Sequence, residues 1–225
     1  YSLNVDLGFD YILGVDIGND RYGTRRIGGG ISIFNKNGVL DSIIPLTITT
    51  GGENVDMKYL LEKLDNYIDL HNKKMLILKD GNLNYPEVAS AAQIAKNLSI
   101  THITILNIIK RQSIRILEDK EGSRGIVLKD NLALLLNHKF DGAQTIKITS
   151  KYRIENGTSV RDKITYKDLS ILYALSNLNY SNIYIRSERL KYPAPIHYSD
   201  KFVKAIGKEW RIDNQLLLEG YLYFL

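Results

Sequence analysis

The sequence has no cysteine among its 225 residues, and it has no long hydrophobic run. The absence of cysteine excludes disulfides and thiolate zinc sites, which agrees with a reducing compartment. No stretch approaches the roughly eighteen unbroken apolar residues that a membrane-spanning helix needs. Residues 1–10 contain neither a basic flank nor a long apolar block, so no secretory signal is expected. We therefore expect a cytoplasmic protein that does not enter a membrane.

The composition predicts a folded chain of one large or two small domains, because 44% of the residues are hydrophobic. The net charge is +5, from 30 basic and 25 acidic residues. If four acids were gathered in one metal site, the 30 basic residues would face 21 acidic ones elsewhere, an excess of +9 that attracts polyanions. Charge alone also fits scattered surface lysines. The chain starts at Tyr1 rather than methionine, so we expect a piece of a longer protein.

Three apolar runs without polar alternation predict strands that are buried on both faces. They are residues 11–17, 74–81 and 102–109. A hairpin is predicted over 26–46, with its turn at 35–38. The glycines at 28–30 indicate a bulge or the close approach of another backbone. Shorter strands are predicted at 113–118, 125–128, 131–137, 144–154 and 182–188.

Helices are predicted between these strands from apolar residues at helical spacing. The first covers 57–71, the second starts at Pro86, and the third covers 165–178 after Thr165-x-x-Asp168, which is close to a capping box. A fourth begins near Ser199, after two prolines. The apolar end, LLLEGYLYFL, is expected to dock onto the fold. Alternating helices and buried strands predict an α/β protein with a mixed sheet.

Two aspartates follow buried strands and are themselves followed by glycine: Asp16 in GVDIG and Asp80 in KDG. Ligands gather at the carboxyl ends of strands in α/β sheets, so these acids are expected to lie close together. Their repulsion is relieved by a cation, and carboxylates suit Mg²⁺ or Mn²⁺, a pair of which can act on a phosphodiester. Two alternatives stay open: Asp80-Gly81 is a common turn, and GVDIG is similar to the phosphate loop of actin-like kinases.

Three further residues qualify for such a site, each with a structural alternative. Asp200 is predicted in the first turn of a helix, where the helix dipole alone favours an acid. Glu53 lies in a Gly-rich loop and is otherwise a solvated residue ahead of a helix. His197 is a candidate metal ligand or base, or it packs against the Pro-rich turn.

Together these motifs resemble the PIWI domain of prokaryotic Argonaute proteins. The segments that carry the resemblance are GVDIG, GGENV, LILKDGNLNYPEV, ITILNIIKRQSIRI, YPAPIHYSDKFVKAIG and YLYFL. The resemblance implies an RNase H-like fold over 1–225, a mixed five-stranded sheet flanked by helices, with additional strands. It also implies the C-terminal part of a longer or split Argonaute, with N, PAZ and MID domains in the same or a partner chain.

The resemblance also implies a site and a reaction. The family's acidic tetrad falls on Asp16, Glu53, Asp80 and Asp200, with Asp56 or Glu62 as alternatives for the glutamate. The three aspartates would bind two Mg²⁺ or Mn²⁺ ions and hydrolyse a target DNA or RNA strand paired to a short guide.

The resemblance implicates four further residues in binding nucleic acid. Lys110, Arg111 and Arg115 are candidate phosphate contacts, or else a solvated basic strand edge. The carboxylate of Leu225, if it is the true C-terminus, would help to bind a metal at the guide's 5′ phosphate.

Three other functions remain open at this point. A PIWI-like chain can bind guide and target without cutting. Another RNase H-like nuclease would use the same acids without a guide. An actin-like kinase or ATPase is suggested by GVDIG, but the second phosphate loop of that fold is not found in the sequence.

Overall fold

The computed structural model of the chain describes residues 6–19, 26–46, 55–81, 83–110, 127–129, 132–137, 144–176, 178 and 192–209. The strands are β1 (Tyr11–Asn19), β2 (Arg26–Asn35), β3 (Leu40–Leu46), β4 (Lys74–Asp80), β5 (His102–Ile109), β6 (Val127–Lys129), β7 (Leu132–Asn137), β8 (Gln144–Glu155) and β9 (Thr158–Asp162). The helices are α1 (Met57–Asp65), α2 (Tyr85–Asn97), α3 (Tyr166–Ser176) and α4 (Ala194–Glu209).

Within the described residues, nine strands form one mixed sheet in the order β3-β2-β1-β4-β5-β8-β7-β6, and β9 pairs with a different part of β8 than β7 does. β4 is parallel to both β1 and β5, and the other pairs are antiparallel. The first five strands form the half of the sheet in which β1 is central. This confirms the expected α/β class, with a five-stranded mixed part extended by additional strands.

Each face of the sheet carries its own hydrophobic core, since successive side chains of a strand point to opposite faces. Leu13 and Val15 of β1 face the core that is covered by α1 and α2. Ile12 faces the second core, which is covered by α3 and α4. The central strands are therefore apolar without alternation because both of their faces are buried. Among the described residues, no helix is long and apolar enough to span a bilayer.

The predicted strands at 11–17, 74–81 and 102–109 and the hairpin at 26–46 are confirmed within one or two residues. In the hairpin turn, the amide of Gly38 donates to the carbonyl of Asn35 at 2.9 Å, and Gly38 has a φ of +72°. The predicted strands at 113–118 and 182–188 and the expected docking of the C-terminal residues lie outside the described residues.

Two helix boundaries differ from the prediction. α1 ends at Asp65 rather than at 71, because the Asn66 side chain donates to the carbonyl of Glu62 and caps the last turn. α4 begins at Ala194 rather than near Ser199. Proline is tolerated in the first turn of a helix, where its missing amide has no intrahelical partner, so Pro195 starts this helix rather than breaking it.

β9 was not predicted, although its signal is present. Asn156 and Gly157 have φ values of +50° and +77°, and they form the turn between β8 and β9. An Asn-Gly pair between two strands is a strong hairpin signal, because both positions accept positive φ.

Candidate active site

Two of the predicted site residues lie at the same edge of the sheet because β1 and β4 are parallel neighbours. Val15 pairs with Lys79, so the residues that follow, Asp16 inside β1 and Asp80 at the end of β4, lie at the same level of the sheet. Gly81 then takes a φ of +91°, which non-glycine residues rarely adopt, and its amide donates to the carbonyl of Ile108 at 3.1 Å. The chain thereby turns away and leaves the Asp80 carboxylate at the strand end.

A third predicted residue, Asp200, comes from α4, which packs unusually close to β1 and β2. A Cβ atom on Gly14 would lie only 2.1 Å from the carbonyl carbon and oxygen of Pro195. On β2, a Cβ atom on Gly30 would lie 2.6 Å from the ring of Phe202. The hydroxyl of Ser32 donates to the Pro195 carbonyl at 2.6 Å. Small residues on two strands therefore let the helix approach and bring Asp200 to the edge where Asp16 lies.

Asp200 lies in the second turn of α4, and not in the first turn as the sequence suggested. The helix dipole acts mainly within the first turn, so it does not explain an acid at this place. The position is explained instead by what the side chain contacts.

The ammonium group of Lys110 lies at the centre of the three aspartates. Its Nζ atom is 2.8 Å from Oδ2 of Asp16, 3.0 Å from Oδ2 of Asp80 and 2.8 Å from Oδ1 of Asp200. Lys110 directly follows β5, the strand that pairs with β4 on the side away from β1. Three neighbouring strands and α4 therefore supply the four side chains, which we call the Lys110 cluster.

The Lys110 cluster is largely shielded from water. The lysine side chain is 10% exposed and the Asp16 side chain 9%, and the two other aspartates are 21% and 16% exposed. Some of the remaining oxygen atoms are also bonded: Oδ1 of Asp16 accepts from the amide of Ile17 at 2.9 Å. Oδ2 of Asp200 accepts from Lys204, one helical turn further along α4.

This environment changes the proton affinity of the cluster. Burial raises the pKa of Asp16 from 3.8 to about 7, against the attraction of Lys110 and with the help of Asp80. For Asp200, burial acts upward as well, but hydrogen bonds from Lys110 and Lys204 outweigh it and lower the pKa. Burial disfavours the charged Lys110, yet Asp16 and Asp80 raise its pKa above the ordinary value of 10.5. The lysine is therefore a permanent cation.

The other predicted site residues fall in different places. Glu53, Arg111, Arg115 and Leu225 lie outside the described residues. Of the two alternatives for the glutamate, Asp56 caps the amino end of α1 by accepting from two backbone amides, and Glu62 forms an exposed ion pair with Lys58. Both carboxylates thus have structural roles in α1.

His197 packs its ring against the edge of Tyr198, with ring centroids 5.5 Å apart. Burial, assisted by Lys201, lowers the pKa of His197 to about 4, so the ring is neutral near pH 7. The ring therefore packs on a neighbour in the same helix, whereas the alternative drawn from the sequence was packing against the Pro-rich turn.

The central role of Lys110 was not predicted. The sequence identified it only as one of three candidate phosphate contacts. The one available signal was its position directly after β5, since that places it at the same edge of the sheet as Asp16 and Asp80.

The donor set suits a hard divalent cation, because three carboxylates from separate elements converge on one positive charge. Within the described part of the chain, however, no group of three or more Asp, Glu or His side chains forms a ready-made metal site. The carboxylate oxygens surround an ammonium nitrogen at 2.8–3.0 Å, whereas Mg²⁺ holds its oxygen ligands at about 2.0–2.1 Å. A divalent ion would draw the same three carboxylates inward.

Comparison with known proteins identifies relatives over the whole chain. The Argonaute protein of Methanocaldococcus jannaschii is 34% identical over 227 residues, covering 100% of this chain and 32% of the relative. The Argonaute protein of Pyrococcus furiosus is 32% identical over 235 residues, covering 100% of this chain and 30% of the relative. No protein-family profile matches the chain.

Solved structures give the same result. The M. jannaschii Argonaute structure has a TM-score of 0.80 at 32% identity, over 99% of this chain and 32% of that one. Its complex with guide DNA has a TM-score of 0.75 at 31% identity, over 96% and 30%. The chain described here spans about a third of the length of these proteins.

Proposed function

We propose that this chain, which belongs to the Argonaute family, is the PIWI domain of such a protein and the catalytic part of a guide-directed endonuclease. The substrate would be a DNA or RNA strand paired to a short guide, and the N, PAZ and MID domains would lie in the same or a partner chain. The M. jannaschii relative has a solved structure in complex with guide DNA, which supports a nucleic-acid guide for this chain as well.

The observation that carries the proposal is the convergence of Asp16, Asp80 and Asp200. These carboxylates leave β1, β4 and α4, and all three lie within 3.0 Å of one nitrogen atom. Like charges at such distances repel strongly, so an arrangement of this kind requires a cation. Asp200 also pairs with Lys204 one turn further along α4, but that lysine is 62% exposed, and an exposed i, i+4 ion pair contributes little.

In this proposal Asp16, Asp80 and Asp200 would hold Mg²⁺ or Mn²⁺, joined by Glu53. Bound divalent ions at such a site generate a nucleophile from water and stabilise the leaving oxygen of a phosphodiester. Asp16 contributes the most shielded carboxylate, which is fixed by the Ile17 amide. Asp200 is fixed from the other side by Lys204, and Lys110 would supply positive charge near a phosphate that is bound at this edge of the sheet.

The test is the cleavage of a matched target by the intact, guide-loaded protein. We expect Asp80→Ala to lower the cleavage rate about a thousandfold or more, since several kcal/mol of transition-state stabilisation would be lost. Binding of the target to the guide should remain within a few fold, because base pairing supplies most of it. The control is Asp162→Ala. This change removes a carboxylate that lies outside the cluster and pairs with Arg153 at 3.6 Å, so the variant should cut at the normal rate.

Cleavage by Asp80→Ala at the rate of the unchanged protein would refute the assignment of the site. A chain that binds guide and target without cutting is the second candidate. The observation that favours it is the position of Lys110, whose ammonium already neutralises part of the acidic cluster. The two candidates are separated by adding Mn²⁺ or Mg²⁺ to the guide-loaded protein. An endonuclease must cut the target in a way that depends on the divalent ion. A chain that only binds guide and target must not cut at any concentration of the ion.

A further inference from the structure

The Lys110 ammonium is bonded in the way that a bound cation is bonded. An ammonium group has three N–H donors, and three carboxylate oxygens lie at 2.8, 3.0 and 2.8 Å from this one. Each donor can therefore serve a different aspartate. A lysine whose only role is to contact a phosphate would instead extend into solvent in the absence of nucleic acid, since its long side chain is flexible and its ammonium group is strongly hydrated.

The side chain is also held in place from the other directions. Ile108 of β5 pairs with Asp80 of β4, and Lys110 lies two residues after Ile108. The backbone of Lys110 is therefore placed just beyond the Asp80 position. The ring of Tyr192 lies 5.5 Å from Nζ, at the distance of a cation–π contact. Burial, three ion pairs and an aromatic ring together keep the ammonium at the centre of the cluster.

A divalent ion and this ammonium group cannot occupy the cluster together. Both would sit between the same oxygens of Asp16, Asp80 and Asp200, and a metal would bring those oxygens about 0.8 Å closer to the centre than the nitrogen does. An ammonium left beside a divalent ion would also face strong repulsion in a site shielded from water. A divalent ion can therefore bind only after the ammonium group has left the cluster.

We propose that Lys110 is a built-in counterion that holds Asp16, Asp80 and Asp200 together and must be displaced before a divalent ion binds them. This inference rests on the proposed function. Lys110 would be a positioning residue: it keeps the three carboxylates converged, and it weakens divalent binding by competing for them. The displaced ammonium stays tethered at the end of β5, within reach of a phosphate at that edge.

The experiment measures Mn²⁺ binding by calorimetry without any nucleic acid, in the unchanged protein and in Lys110→Met. Methionine keeps the length and apolar stem of lysine but removes the charge. We expect Lys110→Met to bind Mn²⁺ at least tenfold more tightly than the unchanged protein, because the competing cation is gone. Lys110→Gln is a second neutral variant in case methionine prevents folding, and it should shift the affinity in the same direction.

The matched control is Lys151→Met. Lys151 is another largely buried lysine, 13% exposed, and it lies 3.0 Å from Asp168, which caps α3. Its removal deprives a buried carboxylate of its ion-pair partner, as at Lys110, but away from the Lys110 cluster. Lys151→Met should lower the melting temperature and leave the Mn²⁺ affinity unchanged.

A second readout separates competition from simple destabilisation. In EDTA, Lys110→Met should melt at a lower temperature than the unchanged protein, because the three carboxylates then face one another without the cation that lies between them. Saturating Mn²⁺ should remove most of this difference. For Lys151→Met, the difference should persist with and without the metal.

The outcomes distinguish this inference from the proposed function. If the unchanged protein binds Mn²⁺ and both neutral variants bind it equally or more weakly, Lys110 does not compete and the inference is overturned, while the nuclease proposal stands. If neither the unchanged protein nor the variants bind Mn²⁺, the metal site itself is refuted, and the inference is refuted with it.

Discussion

At the scale of single residues, the three aspartates of the Lys110 cluster differ in what surrounds them. Asp16 is the most buried, and burial raises its pKa to about 7 although it contacts a lysine. Asp200 receives hydrogen bonds from two lysines, and its pKa is lowered. One acid of the cluster therefore carries an unfavourable charge at neutral pH, while another is stabilised as a carboxylate.

This difference predicts how stability depends on pH in EDTA. The pKa of Asp16 in the folded state, about 7, lies above its ordinary value of 3.8, so the folded state binds this proton more tightly. The resulting stabilisation is fully present below about pH 4 and is lost as the pH rises to about 7. Integrated over that window, the loss is at most about 4 kcal/mol. Asp16→Asn should remove this slope from urea unfolding measured between pH 4 and 8.

The quantity to compare is the difference in unfolding free energy between the unchanged protein and Asp16→Asn, because Asp200 and His197 titrate in both. Asp162→Asn, outside the cluster, serves as the control and should follow the unchanged protein. A difference that stays constant from pH 4 to pH 8 would contradict the raised pKa.

The sequence was sufficient to nominate Asp16, Asp80 and Asp200, because strand ends and a helix after a Pro-rich turn can be identified from local patterns. It was not sufficient to place Lys110 among them. A long side chain after β5 can extend outward to solvent or fold back over the sheet edge. The choice depends on the charges that the fold assembles there, and those charges come from positions up to 94 residues away.

At the scale of secondary-structure elements, the contact between α4 and β1 determines whether the site forms. Gly14 leaves room for the backbone of Pro195, and Ser32 donates to the same carbonyl group. The glycines at 28–30 indicate a bulge or the close approach of another backbone. The register of β1 and β2 does shift beside Gly28, and the group that approaches Gly30 is the Phe202 side-chain ring rather than a backbone. Gly14 was not singled out, because one glycine in an apolar strand gives no sign of which element packs on it.

We therefore predict that Gly14→Ala separates α4 from β1. The new methyl group would lie 2.1 Å from backbone atoms of Pro195, which cannot rotate away as a side chain can. Overpacking of this kind costs about 1–3 kcal/mol of folding free energy. Because Asp200 moves with the helix, the Mn²⁺ affinity should fall by tenfold or more.

Ser32→Ala is the control for Gly14→Ala, since it removes the hydrogen bond to Pro195 without adding volume. It should cost about 1 kcal/mol and change Mn²⁺ affinity only slightly. Wild-type Mn²⁺ affinity in Gly14→Ala would show that the site does not depend on this contact.

Boundaries of elements were harder to predict than their existence. The predicted start of α4 is too late, because proline breaks the interior of a helix but is accommodated in its first turn. β9 is absent from the prediction, although Asn156-Gly157 marks its hairpin. Both errors concern turns, where one or two residues decide the path of the chain and the apolar pattern carries little information.

At the scale of the whole molecule, the two faces of the sheet differ in what they carry. The face covered by α1 and α2 is a core of apolar side chains. The face covered by α3 and α4 is a second core that ends, at the carboxyl edge of β1 and β4, in the Lys110 cluster. The hydrophobic pattern predicted that the central strands are buried on both faces, but it could not tell which face carries the site. That distinction arises only when a helix with an acid docks on one of them.

Substitutions that create a similar cavity in each of the two cores should separate effects on folding stability from effects on metal binding. Leu61 of α1 and Ile196 of α4 are both 0% exposed, and either change to alanine should cost about 2–5 kcal/mol of folding free energy. Ile196 lies one helical turn before Asp200, so Ile196→Ala loosens the helix that positions this carboxylate. Calorimetry under conditions where both variants are folded should give normal Mn²⁺ affinity for Leu61→Ala and a several-fold loss for Ile196→Ala. Equal losses in the two variants would mean that metal binding follows global stability, and that neither face of the sheet has a special role in it.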